Sequence, residues 1–106
     1  MKLVRPQNVT LLRGNHEVRD IQIKYTYLRE CLLKYGDTYG QELFELTNRM
    51  FDHMPICAVV NGAIFCVHGG ISPSASRLDD INAIPVELAN PEQESQIGSL
   101  RFLFSV

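Results

Sequence analysis

Residues 56–67 constrain this chain most. Ile56 to Val60 and Ala63 to Val67 are two apolar runs on either side of Asn61-Gly62. Asn-Gly is the dipeptide most favoured in a type I′ turn, where both central residues take positive φ, so the segment predicts a β-hairpin. The runs are apolar at nearly every position instead of alternating, so both faces of the hairpin are expected to be covered by other layers. A chain of 106 residues is long enough for one small domain and too short for two. Buried hairpin strands require more sheet than it supplies, and the sequence reads as an interior slice of a larger domain.

Other elements follow from periodicity. Val9 to Leu12 is short and apolar, and runs into Arg13-Gly14-Asn15; it predicts a buried strand ending in a tight loop. Ile21, Tyr25, Leu28, Leu32 and Tyr35 recur at helical spacing, which predicts a helix with one buried face, stopped by Gly36-Asp37. A second helix is expected from Gln41 to about Asp52, with Leu43, Thr47 and Met50 on one side and Pro55 as its stop. Leu78, Ile81 and Ile84 suggest a short helix after the serines at 72, 74 and 76, and Asn90 to Ser99 is polar and irregular in character. Strand, helix, helix, strand, strand is the order of a mixed α/β layer arrangement. The division expected is 1–89 as the structured part and 90–106 as a divergent, irregular tail. Within that tail Leu100 to Val106 is expected to be either an aggregation-prone strand or disordered.

Composition narrows the function. Ten Lys and Arg against twelve Asp and Glu leave a net charge of −2, without the basic field that non-specific nucleic-acid binding relies on. Lys24, Arg29 and Lys34 read as a solvated helix face, and the four tyrosines at 25, 27, 35 and 39 as helix packing, not base stacking. No apolar run approaches the roughly 18 residues of a membrane span, and no signal-peptide core opens the sequence. Neither a nucleic-acid nor a membrane partner is expected. Cys31, Cys57 and Cys66 include no Cys-x-x-Cys pair, which argues against a structural zinc site. They are expected to be reduced thiols, which places the chain in the cytoplasm or nucleus.

Two clusters carry chemistry: Arg13-Gly14-Asn15-His16-Glu17 and His68-Gly69-Gly70, each placed where an expected strand ends in a glycine-containing loop. In open α/β sheets ligands bind beyond the carboxyl ends of strands. Glycine lets backbone approach an ion or phosphate closely. An Asn oxygen and a His nitrogen are competent ligands for a divalent transition metal, and a neighbouring His can act as an acid. From the residues alone, a turn role and a ligand role both remain open for each cluster. His53, outside both, reads as a surface or packing residue.

Leu11-Leu12-Arg13-Gly14-Asn15-His16-Glu17 resembles the Leu-Arg-Gly-Asn-His-Glu signature of the phosphoprotein phosphatase family, which includes the type 1, type 2A and calcineurin-like serine/threonine phosphatases. Tyr25, Glu30-Cys31 and Lys34-Tyr35 are similar to the helix after that signature, and Phe51-Asp52-His53-Met54-Pro55-Ile56 to its approach to the hairpin. Ile64 to Pro73 resembles the next motif nearly residue for residue, and the likeness extends from Val9 to Ile84. The resemblance implies a calcineurin-like metallophosphoesterase fold, a β-sandwich flanked by helices, of which this chain would hold part. It implies hydrolysis of phosphoserine and phosphothreonine in proteins by a water activated between two divalent metal ions (manganese, iron or zinc). Asn15 and His68 would be ligands of one metal, and His16 the general acid that protonates the leaving oxygen. Arg13 and Glu17 would be scaffolding around the loop. Phosphoprotein substrates and regulatory subunits are the partners it implies.

The family's Gly-Asp-x-His-Gly and Gly-Asp-x-Val-Asp-Arg-Gly motifs and its Leu-Leu-Trp-Ser-Asp-Pro stretch have no counterpart in this chain, and the ending Leu100 to Val106 does not match. Ligands for only one of the two metals are therefore expected, the tail reads as that of a truncated frame, and the chain alone is expected to be inactive. The alternative is a non-catalytic fragment that binds phosphatase substrates or regulatory partners.

Overall fold

The computed structural model describes residues 1–71, 73 and 75–84. In chain order these form α1 (Arg19–Lys24), α2 (Tyr27–Asp52), β1 (Cys57–Val60), β2 (Ile64–Val67) and α3 (Leu78–Asn82). This is a mixed α/β arrangement. The expected tail from residue 90 lies outside the described residues.

The hairpin forms where Asn61-Gly62 predicts it. β1 and β2 pair antiparallel, with Cys57 opposite Val67 and Val60 opposite Ile64. Asn61 and Gly62 take φ of 52° and 66°, the left-handed pair a type I′ turn needs, and the Ala63 N–H donates to the Val60 carbonyl at 3.0 Å. The expected cover on both faces is not found among the described residues. Only the open end of the hairpin is half-buried, while Val59, Val60 and Ile64 near the turn are exposed. At the half-buried end a small core gathers: Ala75 and Ile81 are buried against Ile56, Cys57, Val67 and Ile84. The expected short helix supplies Ile81 to it.

Val9–Leu12 is not a strand. Among the described residues the only sheet is the two-stranded β1–β2 pair, and a segment without a ladder neighbour cannot satisfy its backbone as a strand. It is fixed at its end instead, where the Arg13 N–H donates to the Pro55 carbonyl at 2.9 Å.

The helical region also differs in detail. The helix expected from Ile21 through Tyr35 is broken at Tyr25-Thr26, because Thr26 adopts φ 69°. α1 closes with the Tyr25 N–H on the Ile21 carbonyl, and α2 starts anew at Tyr27 without a side-chain cap. Gly36 does interrupt the run as expected, with φ 77° and ψ 171°, so α2 is two helical arms joined at a kink. A left-handed φ costs glycine nothing. The second arm resumes after Gly36, ahead of the expected Gln41, and ends before Pro55. Its buried face is Gly40, Phe44, Asn48 and Asp52, which shares no residue with the expected Leu43, Thr47 and Met50. Met50 is exposed. The stripe is polar because its end receives charged groups from the loop at residues 13–17, which hydropathy alone does not register. Of the four tyrosines only Tyr27 packs as expected: its ring lies 6.0 Å from Phe44 and its hydroxyl donates to Thr47 Oγ1 at 3.2 Å. Tyr25, Tyr35 and Tyr39 are exposed. So are Lys24, Arg29 and Lys34, in keeping with a solvated face.

Thr26 is β-branched at a φ that disfavours any side chain, at a cost of roughly 1–2 kcal/mol. Thr26→Gly is expected to raise the urea midpoint of the chain, by about 1 kcal/mol of stability. An unchanged or lowered midpoint would show that the left-handed residue carries no strain.

Candidate metal and acid site

The site is built on a loop that a buried cation holds in place. Arg13 is 1% exposed. Its Nη2 donates to Asp52 Oδ1 at 3.0 Å, and its Nε donates to the Glu17 carbonyl at 2.9 Å. Asp52 lies at the last turn of α2, where the helix dipole disfavours a carboxylate. A second cation compensates, with Arg19 Nη1 2.8 Å from Asp52 Oδ2. Burial pulls the Arg13 pKa below its ordinary value, while the charge and hydrogen bond of Asp52 push it back up. One guanidinium thus ties the start of the loop, its end and the end of α2 together.

Glu17 completes the loop. Its Oε2 accepts the Gly14 N–H at 2.9 Å. A Cβ on Gly14 would lie 2.6 Å from that oxygen and 3.2 Å from the His68 ring, so a side chain there would displace the Glu17 carboxylate and press the ring back by a few tenths of an ångström. Arg13 and Glu17 are the scaffolding the sequence suggested.

That close approach brings together two of the three expected site residues. His68, just past β2, and Asn15 are 53 positions apart, yet His68 Nε2 and Asn15 Oδ1 are 3.1 Å apart. As a hydrogen bond this needs the tautomer in which Nε2–H donates. His16 is exposed and turns elsewhere: its ring is 5.0 Å from that of Tyr25, tilted by 56°. His53 is exposed and bonds through Nδ1 to the Arg49 carbonyl at 2.7 Å, apart from the site. The cysteines are free, and burial pushes the Cys57 thiol up, towards its protonated form. Among the described residues no three His, Cys, Asp or Glu side chains cluster as a metal site, and no helix is long and apolar enough to cross a membrane.

A divalent metal fits the Asn15–His68 pair as far as the pair goes. Ligands about 2.1 Å from one ion and near a right angle to each other lie about 3 Å apart, and an oxygen with an imidazole nitrogen suits a borderline divalent ion. Metal ligation would require the other tautomer of His68, with Nε2 free to donate its lone pair.

Sequence reasoning misses two residues central to this region. Asp52 is legible only as part of the approach to the hairpin. Gln22, buried in α1, binds Asn48 of α2 through its Oε1 at 2.8 Å. The available signal is the four-residue spacing of Gly40, Phe44, Asn48 and Asp52, a helix face too polar to be buried without partners.

Comparison with known proteins shows the family and the fold. The calcineurin-like phosphoesterase family model matches residues 1–105; the chain belongs to that family. It is 44% identical over 84 residues to a protein phosphatase 2A catalytic subunit of Dictyostelium discoideum, covering 79% of this chain and 26% of that protein. It also resembles a solved serine/threonine phosphatase of Saccharomyces cerevisiae, itself similar to human phosphatase PP5. The TM-score is 0.74 at 28% identity, over 97% of this chain and 31% of that one. The chain thus has the mixed α/β, calcineurin-like metallophosphoesterase fold and spans about a quarter to a third of the length of these relatives.

Removing the carboxylate charge at Asp52 leaves the buried Arg13 cation uncompensated. Asp52→Asn is expected to cost about 3–5 kcal/mol, read as a lowered urea midpoint. A loss within experimental error of zero would mean that the pair does not hold the loop.

Proposed function

We propose that these residues belong to the centre of a metal-dependent phosphatase that hydrolyses phosphoserine and phosphothreonine in proteins. The observation that carries the reading is the meeting of Asn15 and His68 across 53 residues, 3.1 Å apart. The family match and the two relatives, each named as a phosphatase, support it. Those names give no support to a purely binding role.

Asn15 Oδ1 and His68 Nε2 would hold one divalent ion, manganese, iron or zinc, of a pair. When bound, such ions lower the pKa of a water and offset charge that develops on phosphoryl oxygens. Asn15 brings an amide oxygen fixed by the Gly14–Glu17 loop. His68 brings a ring nitrogen from just past β2, where its ring lies beside Gly14. His16 follows Asn15 directly and is exposed; as the general acid it would give a proton to the leaving serine or threonine oxygen, which a poor alkoxide leaving group needs. Tyr25 limits how the His16 ring can turn. Both ligands are neutral, so these residues alone make a weak site for a hard cation, and the isolated chain is expected to show no appreciable turnover. Phosphoproteins are the proposed substrates and regulatory subunits the proposed partners. Three free cysteines suit a reducing setting, cytoplasmic or nuclear.

Calorimetric titration with manganese tests the reading. Binding is expected at one site, weakened by more than about tenfold in His68→Ala and in Asn15→Ala. Absence of binding, or binding indifferent to both substitutions, would overturn it.

A further inference from the structure

The turn that closes the hairpin carries a chemistry that the site does not use. Asn61 is the one asparagine of six that glycine follows. A backbone nitrogen can close a five-membered ring on the carboxamide of the asparagine before it, and glycine, lacking a Cβ, hinders that approach least. Asn61 and Gly62 are both exposed. A Cβ at Gly62 would meet nothing within 4 Å, so water reaches the reacting atoms. The hydrogen bond of the turn runs from the Ala63 N–H to the Val60 carbonyl and leaves the Gly62 nitrogen out of it.

The closed turn holds this reaction back. Asn61 has φ 52°, and a left-handed residue, with ψ of about +47°, turns the next nitrogen away from its own side chain. Ring closure therefore needs the turn to open, and little opposes that. Val59, Val60 and Ile64 beside the turn are exposed, while the packed end of the hairpin is at Cys57 and Val67. A two-stranded hairpin is marginal without further support.

We propose that Asn61 is a site of spontaneous deamidation, gated by opening of the hairpin turn, and that its isoaspartate product unfastens His68 from Asn15. The Gly62 nitrogen, as it gives up its proton, attacks Asn61 Cγ. The new C–N bond closes the ring, and the Asn61 side-chain nitrogen leaves with that proton as ammonia. Water then cleaves one of the two ring C–N bonds. Cleavage of the new bond restores the normal backbone with aspartate in place of asparagine. Cleavage of the original peptide bond leaves the chain running through the side-chain carbons, as isoaspartate. Nothing is oxidised or reduced. Aspartate keeps the turn, because Asp-Gly also suits type I′. Isoaspartate puts one more carbon into the main chain between Val60 and Ala63, the span that the turn hydrogen bond closes. β1 and β2 pair at four positions, and His68 directly follows β2. Loss of the turn therefore frees the strand that holds the His68 ring against Asn15. None of these steps depends on the phosphatase reading.

The full chain, aged at mildly alkaline pH in buffer and in unfolding urea, tests the proposal. Peptide mass spectrometry is expected to show a gain of about one dalton at Asn61 ahead of any other asparagine, the exchange of an amide for an acid. Isoaspartate should be among the products, and the loss of Asn61 should be severalfold faster in urea, where the turn is open. Asn61→Gly, which keeps a turn sequence of the same type, should show no such gain. In NMR spectra the His68 ring and the Asn15 side-chain amide are expected to shift in the purified isoaspartate form. They should stay in place in fresh Asn61→Asp and in aged Asn61→Gly. Survival of Asn61 in buffer for as long as the other asparagines overturns the modification site. Equal rates in buffer and urea overturn the gating by the turn. An isoaspartate form whose His68 and Asn15 signals match those of the parent chain overturns the link to the Asn15–His68 pair.

Discussion

Arg13 enters the interior as a cation and leaves its hydration behind, a loss that Asp52 must offset for the loop to be where it is. The side chains of the pair are 2% and 8% exposed, so breaking it by removing one partner is far costlier than losing a surface ion pair. Asp52 sits at the end of a helix where a negative charge is unwelcome, and it needs Arg13 and Arg19 as much as they need it. The remaining contacts of the site loop follow from this anchor. Arg13 Nε holds the Glu17 carbonyl, Glu17 holds the Gly14 N–H, and Gly14 leaves the space in which the His68 ring meets Asn15.

The anchor also explains why two elements far apart in sequence share one site. The Pro55 carbonyl, just after α2, accepts the Arg13 N–H, and β1 starts two residues later. The hairpin then returns the chain to His68 through the turn at Asn61-Gly62. The end of α2 therefore positions both halves: the Asn15 loop by ion pair and backbone hydrogen bond, and His68 through the hairpin that follows it. α1 is tied to the same helix by the Arg19–Asp52 ion pair, the Gln22–Asn48 bond and the Thr26 turn.

Much of this is legible in the amino-acid sequence. Asn61-Gly62 specifies the hairpin because its φ requirement is local. Gly36 and Pro55 mark real breaks for the same reason. Asn15 and His68 are identifiable as a pair only through the resemblance of their two motifs, since no local rule brings residues 53 positions apart to 3.1 Å. Tertiary contacts decide the rest. Val9–Leu12 is apolar enough for a strand but has no ladder neighbour among the described residues. The buried face of α2 departs from the expected one because hydropathy ranks Leu43 and Met50 above Asn48 and Asp52, whereas burial follows the ion pair and amide bonds. Thr26 breaks a helix whose apolar spacing runs on through Tyr25 and Leu28.

If Arg13 and Asp52 position the Asn15–His68 pair, a change at Asp52 must be felt by a metal it does not touch. The decisive measurement is manganese affinity of Asp52→Asn, made where its circular dichroism still matches that of the parent chain. A fall of about tenfold to 100-fold is expected, the range for outer-shell support of a metal site. Unchanged affinity in a folded Asp52→Asn chain would contradict the central role of the buried ion pair.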